Sequence, residues 1–550
     1  MDRSEHKYTA VIRTEGAAVR FTDRYDCALF SASLEADGES VTLRVEPKRE
    51  LCFRELSVYD EPGIDGSEKY FLNGYQSWTD SREWTSGEKM RGIDHIPAVL
   101  VRKYNFDKYG DYNFARYSPR SGDLHGWTYA YIRRGRDFLL YGSLSEGCGF
   151  TKISLFSERK RVKLSRECEG AVYSQPFDAI SCAVLRGSEN EVFARWQELS
   201  GIPVSGAPQI RGYTSWYRHY QDISAEKLLH DLDALTASGM AADIFQIDDG
   251  YQTAVGDWLS TDEKKFPDGV AAIAEQIHSR GLKAGLWLAP FVCEKNSDLY
   301  ELHPEWLLKD TDGSPLAAGC NWSGSFALDL GNEEVRDYLR NVFDTVLGKW
   351  GFDLVKLDFL YAACIRPSGG KSRGQLMCEA MDFLRELCGK KLILGCGVPL
   401  GAAFGKADYC RIGCDVGLSW DDSFVMRQTH RERVSTKNSL LNTVFRRQLR
   451  NFFGIDPDVF LLREDNISLS PAQKQTLAYL NHLFGSVLFT SDDVGTYSDA
   501  QKRLHLSAER LTAAEGAEAD LNGSELTVRF SLEGRRRELR FDIAAGKRIK

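Results

Sequence analysis

From Arg211 onward, short apolar runs alternate with helix-period patterns, and this rhythm limits the possible folds more than any other feature of the chain. The runs are Gly212–Trp216, Ile244–Asp248, Lys283–Leu288, Leu354–Asp358, Leu392–Cys396, Asp408–Ile412, Val459–Leu462 and Val487–Thr490. Between most of them lie helical patterns. Ala225 to Ser238 sets Leu228, Leu229, Leu232 and Leu235 on one face, behind Ser224 as N-cap. Glu333 to Trp350 and Pro471 to Phe484 are similarly periodic. Eight strands with intervening helices over roughly 280 residues match the size and rhythm of a (β/α)8 barrel. A doubly wound open sheet is the alternative, but the chain lacks the Gly-x-Gly-x-x-Gly or Walker pattern that would favour a nucleotide fold.

The flanks read differently. Residues 1–195 alternate in period two, as in Val41–Val45 and Phe138–Tyr141, with turn clusters such as Ala36-Asp37-Gly38 between runs; this predicts a β-sandwich. A helix near Glu191 to Leu199 and a Gly/Pro segment, with a linker over 196–210, lead into a catalytic barrel over 211–504. Residues 505–550 contain Glu525–Leu532 and Glu538–Ile543 and predict a small C-terminal β domain, with Arg535-Arg536-Arg537 as a solvated turn. Glu158 to Arg161 reads as a solvated strand edge. A length of 550 residues suits this three-part organisation. The net charge of −9 argues against a nucleic-acid partner. The N-terminal residues lack an apolar core of a secretory signal, no run of about 20 apolar residues could span a membrane, and the 13 cysteines have no repeated spacing. A cytoplasmic protein with reduced thiols is the expectation.

Chemistry concentrates where the strands end. Gly351 to Leu360, GFDLVKLDFL, is a buried strand carrying Lys356 and Asp358 two apart, hence on one face. Such charges belong at the open end of a parallel strand, as a structural ion pair or facing a ligand. The other strand ends decide for a ligand: Trp216-Tyr217-Arg218, Asp248-Asp249, Trp287, Gly395-Cys396-Gly397, then Arg411 and Asp415. Asp492-Asp493 fits a loop cap equally well. Two carboxyl groups and aromatic walls suit a glycosidase, in which one carboxylate attacks the anomeric carbon and a protonated carboxyl serves the leaving oxygen. Lys356 favours ionisation of Asp358, and Asp415 would need a raised pKa. A metal site is the competing use of clustered aspartates; of the 10 histidines only His219 is near these ends, and there is no H-E-x-x-H. Asn73–Trp78, NGYQSW, reads as a hairpin turn with a core tryptophan or as a loop lent to a pocket.

Taken together, the motifs Asn73–Trp78, Ser215–Tyr217, Phe245–Gly250, Gly285–Phe291, Lys356–Phe359, Leu394–Pro399 and Arg411–Asp415 resemble, in this order, the α-galactosidases of glycoside hydrolase family 36, clan D, in their compact bacterial form. The resemblance implies a β-sandwich, a (β/α)8 barrel and a C-terminal β domain, a retaining mechanism, no cofactor and no metal. It implies Asp358 as nucleophile and Asp415 as acid/base. Asp248 and Asp249 would hold O4 and O6 of galactose, and Lys356 and Arg411 the other ring hydroxyls. Trp216, Tyr217 and Trp287 would be pocket walls, Cys396 would lie near O2, and Trp78 would reach the barrel mouth from the sandwich. Thr214 and Cys414 depart from the family pattern, which usually has Cys and Pro there; both bear on pocket detail.

The expected activity is exo-acting hydrolysis of terminal α-galactosyl residues from small oligosaccharides, by a monomer or homo-oligomer without nucleic-acid or membrane partners. The alternatives are an α-N-acetylgalactosaminidase or a raffinose-synthase-like galactosyl transferase of the same family, and, further off, a non-enzymatic carbohydrate-binding protein.

Overall fold

The structure, a computed structural model, describes residues 6–549; positions 1–5 and 550, at the outer ends of the first and third expected domains, lie outside the described residues. Up to Gly187 the chain builds a six-stranded and an eight-stranded antiparallel sheet. In strand Ser40–Pro47, Val41, Leu43 and Val45 are buried and Arg44 and Glu46 point outward. That alternation pins the register, because a slip of one residue would turn every valine to solvent. Ile12, Leu56 and Val58 of one sheet meet Val41, Leu43 and Tyr141 of the other in a shared core. The region is not wholly β, since Ala98–Tyr104 is helical. Glu158 to Lys160 forms the turn between strands Thr151–Phe156 and Arg161–Arg166, not a strand edge.

The parallel strands are β1 Ile210–Thr214, β2 Ile244–Ile247, β3 Lys283–Leu288, β4 Leu354–Leu357, β5 Leu392–Gly395, β6 Tyr409–Arg411, β7 in two pieces, Gly454–Asp456 and Val459–Phe460, and β8 Val487–Thr490. All their pairings are parallel. The first piece of β7 pairs with β6 and the second with β8, so the two edges of the sheet are adjacent stretches of chain and the sheet is barrel-like. Sequence periodicity found only the second piece. Pro457 interrupts the ladder between them, and Asp458 adopts a left-handed φ of 71°. β1 starts two residues earlier than expected, and Trp216 opens a short helical turn instead of ending the strand. Ser224 caps helix Ala225–Ala237, its hydroxyl accepting from Lys227 N–H.

Both expected borders fall inside helices. Glu189–Ser200 runs through the 195/196 border, and Asp499–Glu509, opened by a Ser498/Gln501 capping box, runs through the 504/505 border. A four-stranded antiparallel sheet follows. Arg535 to Arg537 begin its third strand with side chains exposed, and the turn is Glu533-Gly534 just before them. No helix among the described residues is long and apolar enough to cross a membrane.

Three segments gather at the C-terminal ends of the parallel strands. One is the loop Asn73–Trp78, which follows strand Lys69–Leu72 of the eight-stranded sheet. Another is the stretch around helix Ala98–Tyr104, and the third is a small three-stranded sheet inserted after β3. Arg446, fully buried, fastens the first of them. Its guanidinium donates to Asn73 Oδ1 at 2.8 Å, to the carbonyl oxygens of Ser77 at 2.6 Å and Gln76 at 3.2 Å, and to that of Ile412 at 2.7 Å on the barrel side. Ser77 completes the joint by donating its N–H to Val398 O and accepting from Gly397 N–H, both at 2.9 Å. Replacing Arg446 with Met would leave several buried acceptors unpaired, at about 1–3 kcal/mol each. Arg446→Met is expected to lower the thermal unfolding midpoint clearly; an unchanged midpoint would show that the clamp carries no stability.

Candidate active site

The charged side chains at the strand ends sit in one connected layer. Lys356 projects from β4, and its Nζ lies 2.8 Å from Asp248 Oδ2. Gln246 Nε2 donates to the same oxygen at 2.8 Å. Asp248 follows β2 directly and is fixed from behind, its N–H donating to Ser215 Oγ at 2.9 Å. Burial alone would push the Lys356 ammonium down, but Asp248 and Asp358 outweigh it and hold its pKa up, so it stays charged. Asp249 accepts from Gln252 Nε2 at 2.6 Å and from Gln221 Nε2 and Trp322 Nε1 at 2.9 Å each. Burial raises its pKa, against the pull of these donors.

Asp358 stands one residue past β4. Its Oδ1 accepts from Phe359 N–H at 2.9 Å and its Oδ2 from Trp287 Nε1 at 3.2 Å. Phe359 is held at a left-handed φ of 54°, as is Trp322 at 54°. Aromatic residues occupy that region at a cost of about 1–3 kcal/mol, and strain of this kind clusters at functional sites.

Asp415 lies four residues past the end of β6, within reach of the Arg411 guanidinium at 2.9 Å. Arg411 is shared: Nε lies 3.0 Å from Asp456 and Nη2 2.9 Å from Asp458. Asp458 also accepts from Val416 N–H at 2.8 Å and from the Tyr217 hydroxyl. The Asp415 side chain is two-fifths exposed, but to the cavity and not to open solvent. Its protein surroundings raise its pKa; Arg411 and Lys356 oppose the rise, and Asp358 and Asp248 add to it. Burial likewise pushes Asp458 up to about 7, against Arg411 and with the help of Asp415 and Asp456.

These groups open into a cavity of about 480 Å³. Trp78, Trp216, Asp248, Asp249, Trp287, Lys356, Asp358 and Asp415 all line it. Tyr217, Cys396 and Arg411 do not: all three are buried one layer behind, Arg411 among its carboxylates, Tyr217 on Asp458 and Cys396 under the Trp78 indole, whose Nε1 points to its sulfur at 3.3 Å. Asp492 and Asp493 are structural. Asp492 accepts from Leu462 and Arg463 N–H, and Asp493 caps a helical turn through Gly495 N–H.

Sequence reasoning missed Trp322 and Gln221, the aromatics Tyr104, Phe106 and Tyr109, and the rim loop carrying His430 and Glu432. A trace of Trp322 was available: Gly319 to Gly324 sets a tryptophan and an amide between glycines, the same make-up as Asn73–Trp78. The arrangement can bind a hydroxyl-rich ring between acidic and indole walls and can offer it two carboxyl groups in unlike surroundings.

Comparison with known proteins points the same way. The Melibiase family model matches residues 212–369. The α-galactosidase of Escherichia coli is 33% identical over 212 residues, which are 37% of this chain and 27% of that protein. AgaA of Geobacillus stearothermophilus is 31% identical over 151 residues, 26% of this chain and 20% of AgaA. The matches to these curated relatives thus span only a fifth to about a quarter of their length. Among solved structures, TtGalA, the α-galactosidase of Thermus thermophilus in complex with p-nitrophenyl α-D-galactopyranoside, superposes with a TM-score of 0.72 at 30% identity, covering 97% of this chain and 98% of that one. With a match running nearly end to end through the Thermus protein, this chain belongs to the melibiase family, the glycoside hydrolase family 36 α-galactosidases.

Proposed function

We propose that the protein is a retaining, exo-acting α-galactosidase that releases terminal α-galactose from oligosaccharides. The observation that carries this reading is the pair Asp358 and Asp415 on the wall of one cavity, the first held by two N–H donors and the second kept inclined to hold a proton. The solved complexes of TtGalA with p-nitrophenyl α-galactoside and with stachyose support the substrate class.

In this mechanism Asp358 attacks the anomeric carbon while Asp415 gives its proton to the leaving oxygen. Water, deprotonated by Asp415, then displaces the enzyme and restores the α configuration. Lys356, Asp248 and Asp249 hold ring hydroxyls, and Trp78, Trp216 and Trp287 wall the ring. Arg411, Tyr217 and Cys396 act from behind this wall: Arg411 sets the proton affinity of Asp415, and Tyr217 steadies Asp458. The barrel-like sheet is read as a (β/α)8 barrel, with the two antiparallel sheets before it and the four-stranded sheet after it as accessory β domains.

Asp358→Ala should lower kcat/KM for 4-nitrophenyl α-galactoside by at least about a thousandfold. Asp415→Ala should cost about a hundredfold or more on a disaccharide, and much less on the aryl substrate, whose leaving group needs little protonation. Equal losses on both would remove Asp415 as the acid. Release of α-galactose first, followed by proton NMR, tests retention; β-galactose as the first product would overturn it.

The pH dependence has a definite sign. An acid with a raised pKa keeps activity on the acidic side and loses it as pH rises through that pKa. Removing the Asp458 carboxylate leaves more of the Arg411 charge acting on Asp415 and lowers its pKa. Asp458→Asn should therefore move the basic limb of the kcat/KM profile to lower pH by roughly 0.5–1 unit. A basic limb that stays in place would show that the Arg411 network does not tune the acid.

A further inference from the structure

Beyond the galactose pocket, the wall of the cavity carries a run of rings that the mechanism does not use. Tyr104, Phe106, His430 and Tyr109 all face the cavity. Tyr104 stacks on Phe106 with centroids 5.4 Å apart, Phe106 on His430 at 4.9 Å, and His430 on Tyr109 at 5.6 Å, all within 26° of parallel. Tyr109 then lies 6.5 Å from Trp78. The run thus leads from the indole beside the candidate nucleophile outward to the mouth. Exposure follows the same direction: Tyr109 and Phe106 are buried and Tyr104 is 41% exposed.

The polar groups on this run are matched unequally. Tyr109 donates to Asn321 Oδ1 at 2.8 Å, and Glu432 is taken by Thr79 Oγ1 and Tyr112 Oη at 2.8 Å each. His430 is nine-tenths buried, yet its Nδ1 has no hydrogen-bond partner and stands 3.6 Å from Glu432. Its Nε2 takes no protein hydrogen bond among the described residues. The imidazole is therefore a buried polar group with unused capacity on an apolar wall. Such groups carry a cost unless something pairs them.

The run is also assembled from two parts of the chain. Residues 104–109 come from the first domain and His430 from the loop after β6. They are fastened to each other by Arg431 N–H donating to Tyr112 Oη at 2.8 Å and by His95 Nε2 meeting Gln428 O at 2.5 Å. Asn105 Nδ2 donates to Gly319 O at 3.0 Å and so ties the same segment to the insert after β3. The wall is therefore fixed in place relative to Trp78 before any ligand arrives.

We infer that this aromatic run is the subsite for the leaving group, and that it takes a hexopyranose ring whose C–H face lies on the aromatic band and one of whose hydroxyls pairs with His430. This rests on the α-galactosidase reading above. A pyranose has the required character, apolar on its C–H faces and rich in hydroxyls at its edge, and the wall offers both kinds of contact side by side. The chemical class of the preferred substrate follows: α-galactosides whose aglycone is itself a sugar.

The test compares two substrates. α-Galactosyl fluoride has a single-atom leaving group that cannot reach the run, whereas an α-galactosyl-1,6-glucose disaccharide places glucose against it. The readout is the ratio of kcat/KM on the disaccharide to that on the fluoride. Phe106→Ala, which removes a ring, and His430→Phe, which keeps the stack and removes the nitrogens, should each lower this ratio, Phe106→Ala by about tenfold. Equal losses on both substrates, or no change in the ratio for either variant, would overturn the subsite. An unmodified protein that turns over neither substrate would overturn the α-galactosidase reading itself, and the subsite with it.

Discussion

The guanidinium of Arg446 holds the site together. It is completely buried and has no carboxylate partner; it is satisfied by carbonyl and amide oxygens drawn from the Asn73–Trp78 loop and from Ile412 beside β6. Burial brings its pKa down to about 10, so it remains charged near neutrality. A buried cation with only neutral acceptors tolerates little rearrangement, because each acceptor carries part of its solvation. The loop is thereby locked to the barrel-like sheet, and Trp78 is delivered over Cys396 with its ring 5.2 Å from that of Phe359. Without this joint, a tryptophan from one folding unit would have no fixed place in the cavity of another.

A second constraint is the division of Arg411 among three carboxylates. A lone arginine 2.9 Å from Asp415 would hold that group ionised and unfit as an acid. Asp456 and Asp458 draw on the same guanidinium, so its charge is largely spent before it reaches Asp415. The break in β7 makes this possible: Pro457 interrupts the ladder, and the left-handed Asp458 turns its carboxylate back toward Arg411 and Val416 N–H. The irregularity in the sheet thus places the group that tunes the acid. Phe359 and Trp322 follow the same rule, since left-handed backbone at each sets an aromatic ring beside Asp358 or Asp249.

The cavity wall divides accordingly. The inner part is built on strand ends and is rigid because each carboxylate is held by neighbouring N–H donors or cations. The outer part comes from three excursions, the first-domain segment 104–109, the insert after β3 and the loop after β6, which bond to each other more than to the strands beneath them. Chemistry at the sugar's anomeric centre and recognition of what is attached to it therefore rest on different pieces of chain. The outer pieces can change without disturbing the inner ones.

Much of this was legible in the sequence, because periodicity and charge placement are local properties. The apolar runs of β1 to β6 and β8, the charges on Lys356, Asp358, Asp248 and Asp249 at their ends, and the capped helix after Ser224 all follow from side-chain alternation, strand polarity and capping chemistry within a few residues. The first piece of β7 was hidden because a proline and a left-handed aspartate break its pattern. The withdrawal of Arg411, Tyr217 and Cys396 from the cavity was hidden as well, since a strand end says which face a side chain leaves but not how deep its partners pull it. Local sequence therefore determined the elements, the charged layer and the two carboxyl groups. Only the tertiary structure decided which residues touch the cavity, how Asp415 keeps its proton and which distant segments close the wall, because those depend on pairings between residues hundreds of positions apart.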